Sequence, residues 1–348
     1  MIVGGIWLDL VTPALAAHTS GPIIIDGQGG TVISGLKISS ATGDCVTIVD
    51  STSISVQNSE IGPCGTNNTQ SNSRGIYIKN SIGINIFDSY IHVENLASGC
   101  CDTHDGVLVD GSSYVTIQGN AIAYGESNIQ IGRAPSDHIS VIGNFLLNPR
   151  GPYPRGQNLQ SWPALGSNTN IIVSGNYALS SPDTTRYLYP ENQEDSLDFG
   201  FTDGIIVVNN YLAGGQSPSG CGIMGDDSAG DVQILNNILS DTGQCGIGIA
   251  SGTNYAVNGN KVLNLNAVRG GRNTAIYVWN QYATSCGPVS IFNNVADELR
   301  PDGYHSGYWD GNGSGTVTAT NNTWGPAAYN LLYPMSETNP PPPISGTA

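Results

Sequence analysis

The chain has 348 residues, of which 46 are Gly and 11% are charged, and apolar residues make up 39% of it. The 27 Asp and Glu residues outnumber the 11 Lys and Arg residues and give a formal net charge of −16 at pH 7, which disfavours nucleic acids and anionic membranes as partners. This composition also excludes general disorder and predicts short strands and turns in place of long helices.

Both ends of the chain differ from its middle. Residues 1–21 are a predicted signal-like or N-terminal capping segment: MIVGGIWLDLVTPALAAHT (1–19) is apolar and has a small-residue ALAA, but it lacks basic residues and contains Asp9. The two interpretations stay open. Residues 331–348 are a predicted Pro-rich tail, since NPPPPISGTA (339–348) neither packs nor pairs as a strand. No other segment approaches the ~20 uninterrupted apolar residues of a membrane span. The signal-like segment and the Cys residues lead us to expect a secreted or extracellular protein.

Between these ends, residues 22–330 repeat one phrase. DVQILNNILSD (231–241) returns as DHISVIGNFLL (137–147), NIIVSGNYAL (170–179) and GIIVVNNYLA (204–213). The recurring turn residues are Asn120, Asn144, Asn176, Asn210, Asn237, Asn260, Asn294 and Asn322, with Ser59 and Ser89 in the same place earlier. Neighbouring turn residues are 23 to 34 positions apart, and a 23-residue period is too short for a propeller blade.

A second β-segment precedes each phrase by about ten residues, so similar strands lie one whole period apart. Similar segments should therefore stack in parallel, one coil upon the next. We predict an all-β fold, a single-stranded right-handed parallel β-helix, or solenoid, of about eleven coils. We expect the repeated Asn to turn the chain at one corner, because Asn tolerates left-handed backbone geometry and stacked Asn side chains hydrogen-bond along a column.

Over about residues 22–330 the repeat resembles the right-handed parallel β-helix proteins of the pectate-lyase-like superfamily. The resemblance implies activity on polysaccharides as lyase, hydrolase, epimerase or fructotransferase, or a role as adhesin, tailspike or surface protein. The resemblance covers the architecture only. The polygalacturonase motifs GHG and RIK and the pectate-lyase motif RxPxxR are absent. THDG (103–106) is only loosely similar to the polygalacturonase motif NTDG, and GDD (225–227) follows its strand, whereas the family places it before one. No catalytic role is therefore transferred.

Stacked coils place equivalent residues in rows about 4.8 Å apart, and alternation decides which rows face inward. The predicted inward row is Val46, Ile76, Val107, Ile129, Leu159, Leu197, Ile223, Ile247 and Ile276. The next row, predicted to face solvent or a groove, is Thr47, Tyr77, Leu108, Gln130, Gln160, Asp198, Met224, Gly248 and Tyr277.

The carboxylates Asp195, Asp198, Asp226 and Asp227 are the candidate catalytic residues. The rows place Asp226 one coil and two residues away from Asp198, about 8 Å between backbones, which suits two carboxyl groups that admit a water for inverting glycoside hydrolysis. Crowding of like charges would raise the pKa of one of them. The alternative is that these are solvated turn aspartates.

Two insertions, NPRGPYPRGQNLQSWP (148–163) and SPDTTRYLYPENQED (181–195), predict loops over Gln160 and Asp198. Their rings suit the faces of sugars and their Arg residues suit hydroxyls or a carboxylate. The candidate substrate-binding residues are Gln130, Arg155, Gln157, Gln160, Trp162, Tyr187, Tyr189 and Glu194. The alternative is packing of these loops against the side of the solenoid.

The seven Cys residues fit an exported protein. Cys221 and Cys245 fall at the same place on consecutive coils, within disulfide range, and either a disulfide or a pair of stacked thiols fits. A weaker prediction pairs Cys64 with Cys100 or Cys101.

These patterns favour a glycoside hydrolase that binds a polysaccharide or oligosaccharide along the side of the solenoid, a neutral polymer or one bridged by cations. One alternative is a Ca2+-assisted polysaccharide lyase with Lys79 or His104 as base; another is a non-catalytic, adhesin-like or filament-forming protein. No cofactor is required, although Ca2+ among the acidic loops stays open, and no zinc spacing is present in CCDTHD (100–105). A homo-oligomer also stays open.

Overall fold

The computed structural model describes residues 18–66, 73–93, 104–151, 156–180, 193–215, 219–265, 273–282, 286–311 and 315–338. Its strands form three sheets, of twelve, eleven and eleven strands, that run the length of the described chain. Each coil adds one strand to each sheet, and neighbouring strands in a sheet pair in parallel. The prediction of an all-β parallel β-helix of about eleven coils is therefore confirmed.

Strand bounds follow the repeat. The first sheet contains β1 (His18–Ser20), β4 (Leu36–Ser40), β7 (Glu60–Cys64), β10 (Tyr90–His92), β13 (Ala121–Ala123), β16 (Phe145–Leu147), β19 (Tyr177–Ser180), β22 (Tyr211–Gly214), β25 (Ile238–Ser240), β28 (Lys261–Asn264), β31 (Val295–Glu298) and β34 (Thr323–Trp324). The second sheet contains β2 (Ile23–Asp26), β5 (Val46–Val49), β8 (Ile76–Lys79), β11 (Val107–Asp110), β14 (Ile129–Arg133), β17 (Leu159–Pro163), β20 (Leu197–Phe199), β23 (Cys221–Gly225), β26 (Cys245–Ile249), β29 (Thr274–Val278) and β32 (Tyr308–Asp310). The third sheet contains β3 (Val32–Ser34), β6 (Ser55–Gln57), β9 (Ile82–Phe87), β12 (Ser113–Gln118), β15 (Asp137–Ile142), β18 (Asn168–Ser174), β21 (Thr202–Val208), β24 (Gly230–Leu235), β27 (Thr253–Asn258), β30 (Val289–Phe292) and β33 (Val317–Thr320).

The core is a column of stacked aliphatic side chains enclosed by the three sheets. The predicted inward row is confirmed: its members pair in register from Val46 to Ile276 and all are 0% exposed. Because neighbouring strands are hydrogen-bonded at a fixed register, a one-residue slip would turn this whole row outward. Burial of the aliphatic row therefore sets the register that also positions the outer side chains.

The corner between the third and first sheets carries a continuous hydrogen-bonded ladder of Asn side chains. Asn210 donates its backbone N–H and its Nδ2 to Oδ1 of Asn237, both at 2.9 Å, and Asn237 repeats both bonds to Asn260 at 2.9 and 3.0 Å. Ser59 and Ser89 start the column, with the Ser59 N–H donating to Ser89 Oγ at 3.2 Å. The predicted Asn column is confirmed.

The reason for the repeated asparagine pair differs from the one expected. The left-handed backbone conformation belongs to the residue before each ladder Asn, as at Asn209 (φ 57°), Asn236 (φ 53°) and Gly143 (φ 60°). The second residue of each pair instead satisfies buried backbone groups; Asn237 Nδ2, for example, donates to the Val207 carbonyl at 2.9 Å. One Asn turns the chain and the next holds neighbouring coils together.

Among the described residues, two disulfides link neighbouring parts of the solenoid. Cys221 and Cys245 are bonded on consecutive coils with a Cα–Cα distance of 4.6 Å, which confirms the disulfide alternative. The predicted pairing of Cys64 with Cys100 or Cys101 is wrong, because Cys64 is bonded to Cys45 with a Cα–Cα distance of 5.5 Å. Cys45 directly precedes β5 and lies in the same coil as Cys64. Aligning strands from one coil to the next does not show which residues of a single coil are close together.

A C-terminal helix, α1 (Pro326–Thr338), follows the last strand. Pro326 stands at its first position, where a missing N–H costs nothing, and Ala328 and Leu332 are buried. The helix continues into the region predicted as a tail from residue 331, and β1 begins inside the predicted 1–21 segment. Within the described ranges, no helix has the length and apolar character needed to cross a bilayer.

The Asn ladder yields a stability prediction. Replacing Asn237 by Ala leaves the Asn210 N–H and the Val207 carbonyl without their partners, and we expect a loss of about 2–4 kcal/mol in the free energy of unfolding. The neighbouring Asn236→Gly variant keeps the left-handed conformation and should lose less than about 1 kcal/mol. Urea denaturation of both variants tests this, and equal losses would contradict the separate roles of the two residues.

Candidate active site

The outer row of the second sheet runs as predicted, with Gln130, Gln160, Asp198 and Met224 paired in register on consecutive coils. The prediction that this row is open is wrong in its middle, because Gln160, Asp198 and Met224 are only 5%, 3% and 6% exposed. The Gln160 Nε2 donates to Asp198 Oδ2 at 3.0 Å. Strand alternation does not predict this burial.

Asp195 lies just before β20 and is 4% exposed. Its Oδ1 accepts a hydrogen bond from the Cys221 N–H at 2.7 Å, which ties it to the next coil. Burial raises the pKa of Asp195 well above its usual range, and the charges of Asp198, Glu194 and Asp226 raise it further. The structure thus brings Asp195, Asp198 and Asp226 into one electrostatic group.

Asp226 follows β23, where its N–H donates to the Phe199 carbonyl at 2.9 Å and so joins it to the strand that carries Asp198. Burial raises the pKa of Asp226, while hydrogen bonds from the Tyr282 hydroxyl and the Asp227 N–H oppose that rise. The Asp226 Oδ1 has no hydrogen-bond partner among the described residues. This acceptor atom is buried, so the carboxyl group is unsatisfied on one oxygen.

Asp227, the fourth predicted carboxylate, is more peripheral. It is partly exposed, and its Oδ1 accepts a hydrogen bond from the Ser228 hydroxyl at 2.9 Å. Its N–H bonds to the Asp226 carboxylate and its charge raises the Asp226 pKa. Asp227 thus supports Asp226 at the rim of the cluster.

The predicted substrate-binding residues separate into distinct environments. Gln157 is fully buried; it accepts from the Ser127 hydroxyl at 3.2 Å and donates to Glu194 Oε2 at 3.4 Å. Trp162 is partly exposed and packs edge-on against Phe201 with ring centroids 5.3 Å apart. Three of the predicted residues lie outside the described residues: Arg155, Tyr187 and Tyr189.

Sequence reasoning did not assign Tyr277 and Tyr282 to the site. Burial raises the pKa of Tyr277, and the charges of Asp195 and Asp226 raise it further. Its hydroxyl reaches back two coils, to within 3.5 Å of the Met224 sulfur. This reach depends on Gly248, because a Cβ there would lie 2.8 Å from Tyr277 Cε1 and 2.9 Å from Met224 Sδ. In the sequence, the outer row reads Met224, Gly248 and Tyr277, and a Gly between two large residues could have indicated that the Tyr277 ring extends towards Met224. Tyr282 lies outside every strand, so no register could have located it.

The residues of the lyase alternative belong to a separate, internally paired cluster. His104 is 3% exposed, and its Nδ1 accepts the Ser73 N–H at 2.8 Å. Arg74 lies 3.5 Å from Asp44 and stacks over the Tyr77 ring at 4.7 Å. Lys79 is partly exposed and pairs in register with Asp110, whose carboxylate accepts from the Tyr77 hydroxyl at 2.9 Å. These contacts are those of a structural network along the solenoid.

No group of three or more His, Cys, Asp or Glu side chains in the described part of the chain is arranged to hold a metal ion. A calcium site among the acidic loops therefore stays a prediction.

The structural comparisons return proteins of the same fold at low sequence identity. An alginate lyase from Paenibacillus sp. str. FPU-7 matches with a TM-score of 0.51 and 12% identity, over 85% of this chain and 99% of that one. A DFA-IIIase from Arthrobacter chlorophenolicus A6 in complex with DFA-III matches with a TM-score of 0.56 and 13% identity, over 86% of this chain and 81% of that one. PfbA, a surface adhesin of Streptococcus pneumoniae, gives a TM-score of 0.49 and 11% identity, over 86% and 79%. No family model and no curated protein matches the chain.

These comparisons establish the fold as a right-handed parallel β-helix, in agreement with the resemblance drawn from the repeat. At such low identity they carry no information about individual catalytic residues.

Asp105 directly follows His104 of the lyase alternative, and its pKa predicts how the free energy of unfolding depends on pH. Burial, reinforced by the Glu126 charge, raises the pKa of Asp105 to about 7, so the folded state binds a proton that the unfolded state releases near pH 4. The free energy of unfolding should therefore fall as pH rises from about 4 to 7, by at most about 4 kcal/mol for this group.

The Asp105→Asn variant, which mimics the protonated acid, should flatten this slope in urea denaturation measured across the pH range. The matched Asp137→Asn change should leave the slope intact. Burial is the largest single effect on Asp137 and raises its pKa, but the hydrogen bonds of Thr169, Asn170 and His138 together outweigh it and lower the pKa to about 2. An unchanged slope in Asp105→Asn would show that Asp105 is ionised in the fold at neutral pH.

Proposed function

We propose that the protein is a secreted glycoside hydrolase that cleaves a neutral glycan bound along the outer face of the second sheet. The observation that carries this proposal is the group of neighbouring carboxylates on two adjacent coils, in which burial raises the pKa values of Asp195 and Asp226. A carboxyl group that keeps its proton towards neutral pH, beside another carboxylate, is the arrangement that glycoside hydrolysis requires.

The roles follow from the environment of each carboxyl group. Asp226 has a raised pKa and an Oδ1 with no hydrogen-bond partner among the described residues, which suits the general acid that protonates the glycosidic oxygen. Asp198, held by the Gln160 amide, acts as the base that removes a proton from the attacking water. The water oxygen bonds to the anomeric carbon as the bond to the leaving sugar breaks, and the leaving oxygen takes the Asp226 proton.

The coil spacing puts the backbones of Asp198 and Asp226 about 8 Å apart. Inverting hydrolysis needs about 6.5–9.5 Å between the carboxyl groups themselves, to leave room for the water, and we propose that this pair works by inversion. Asp195 is buried behind them and bonded to the backbone of the next coil. It has no direct role in the proposed proton transfers; burial, followed by the charges of Asp198, Glu194 and Asp226, raises its own pKa.

The electrostatics favour a neutral substrate. The formal net charge is −16, and the charges that act on Tyr282 come from Asp226, Asp198 and Asp227. A uronate polymer would be repelled at this site unless cations bridged it. Neutral sugars carry hydroxyl groups that donate hydrogen bonds to these carboxylates without that repulsion.

The two disulfides support export to an oxidising compartment. Structures of similar fold include an alginate lyase and a DFA-IIIase, and their similarity supports carbohydrate chemistry by analogy of fold. The Lys79 and His104 alternative is less favoured, because the His104 Nδ1 accepts a backbone N–H and so is not available as a base.

The Asp198→Asn and Asp226→Asn variants test the proposal. Each removes one of the two proton-transfer groups, and we expect kcat to fall by about 10²–10⁴-fold. Release of reducing ends from purified neutral glycans, with and without calcium, measures turnover, while ultraviolet absorbance detects the unsaturated product of a lyase.

The matched control is Asp26→Asn, because Asp26 is an exposed carboxylate on β2, six strands away from β20 in the same sheet. It should keep full activity, and circular dichroism should show the same β-structure in all three variants. Undiminished turnover in both site variants, or an absorbing product, would disprove the hydrolase.

A further inference from the structure

A group of exposed aromatic rings lies at the C-terminal end of the second sheet. We call Trp279, Tyr282 and Trp309 the aromatic shelf; their exposed fractions are 41%, 41% and 47%. Contiguous exposed rings on a protein surface usually mark a binding site. The two Trp residues are not among the site residues assigned above, and packing of the core does not explain their exposed rings.

The rings are held beside one another on neighbouring coils. Trp279 and Trp309 have centroids 6.1 Å apart at an interplanar angle of 66°, and Tyr277 lies 6.4 Å from Trp309. Gly311 permits this approach, since a Cβ there would lie 2.8 Å from both Trp279 Cδ1 and Trp309 Cη2. The two Trp rings therefore fit together because Gly311 has no side chain, just as Tyr277 fits because Gly248 has none.

The shelf is continuous with the carboxylate cluster. Register places Asp198, Met224, Gly248, Tyr277 and Trp309 in one row, and the first ring of that row stands three coils, about 14 Å, beyond Asp198. The Tyr282 hydroxyl donates a hydrogen bond to Asp226. A linear ligand lying along the solenoid axis would contact both the shelf and the carboxylates.

The chemistry of the shelf selects the ligand. Tyr and Trp rings present an apolar face and a polar edge, which suits the C–H face and hydroxyl groups of a sugar ring. Beside the rings stand the exposed acceptors Gln281 and Asp310. The charges that raise the pKa values of Tyr277 and Tyr282 are carboxylates, so an anionic sugar is disfavoured.

An organic cation would also suit rings beside carboxylates. Recognition of a quaternary ammonium uses rings that enclose the cation, whereas the two Trp rings here meet edge to face and leave nearly half of each side chain exposed. An open surface of this kind fits a flat, extended ligand better than a small spherical one.

We infer that the aromatic shelf is a subsite that binds neutral sugar residues of a glycan chain, and that it aligns this chain parallel to the solenoid axis with the cleaved bond towards the N-terminal coils. The inference rests on the proposed hydrolase for its direction of cleavage, but the binding of neutral sugar to the shelf is measured independently of turnover.

The test is calorimetric titration of the full chain carrying Asp198→Asn, which suppresses turnover. Cellopentaose, maltopentaose, xylopentaose and a neutral fructan oligosaccharide are the probes, with trigalacturonate and a chitosan oligosaccharide as charged comparators. In this background, Trp279→Ala and Trp309→Ala should each weaken binding of the preferred neutral probe at least about tenfold. The control Tyr114→Ala removes an aromatic ring that is 57% exposed on the third sheet and should leave binding unchanged.

In the chain with Asp198 intact, loss of the shelf should raise KM with little change in kcat, because the rings bind remotely from the reacting bond. Binding that survives both Trp changes, absence of binding to every neutral probe, or preference for the chitosan oligosaccharide or trigalacturonate would overturn the inference. If sugar binding depends on the shelf but no reducing ends are released, the hydrolase proposal alone has failed and the binding inference still holds.

Discussion

The structure depends on one constraint: each coil must pair with the next at a fixed register. Buried backbone groups require hydrogen-bond partners, and in this molecule the parallel ladders of three sheets supply them along most of each coil. At one corner, where a ladder of strands is interrupted, the Asn column from Asn120 to Asn322 supplies them instead. Aliphatic burial and corner hydrogen bonds thus enforce the same alignment.

This alignment makes neighbours of residues that are far apart in the chain. Asp195 bonds to the backbone of Cys221, 26 residues later, and Asp198 lies beside Gln160, 38 residues earlier. The period varies without disturbing the register, because extra residues leave the coil as loops whose closure costs little more with length. The solenoid is therefore a rigid support on which carboxylates are held close together against their mutual repulsion.

Crowding of that kind has a chemical consequence. Charges confined to the outer face of one sheet raise the proton affinity of buried members such as Asp195. Small residues in the same strip admit large rings, as Gly248 does for Tyr277 and Gly311 does for the two Trp rings. The strip combines acids with aromatic surface along one axis, which is the geometry of a chain-like sugar ligand. The proposed roles of both parts follow from this arrangement.

Much of this was predictable from the sequence by itself. The period of the repeat and the alternation of residues determined the parallel solenoid, the inward row from Val46 to Ile276, the Asn column and the proximity of Cys221 to Cys245, because pairing from coil to coil converts sequence period directly into spatial neighbourhood. Only the tertiary structure decided that Gln160 and Asp198 are covered, that Cys64 pairs with Cys45, and that Tyr282 reaches Asp226. These contacts cross corners or come from residues outside the strands, where no periodic hydrogen bonding fixes the path of the chain.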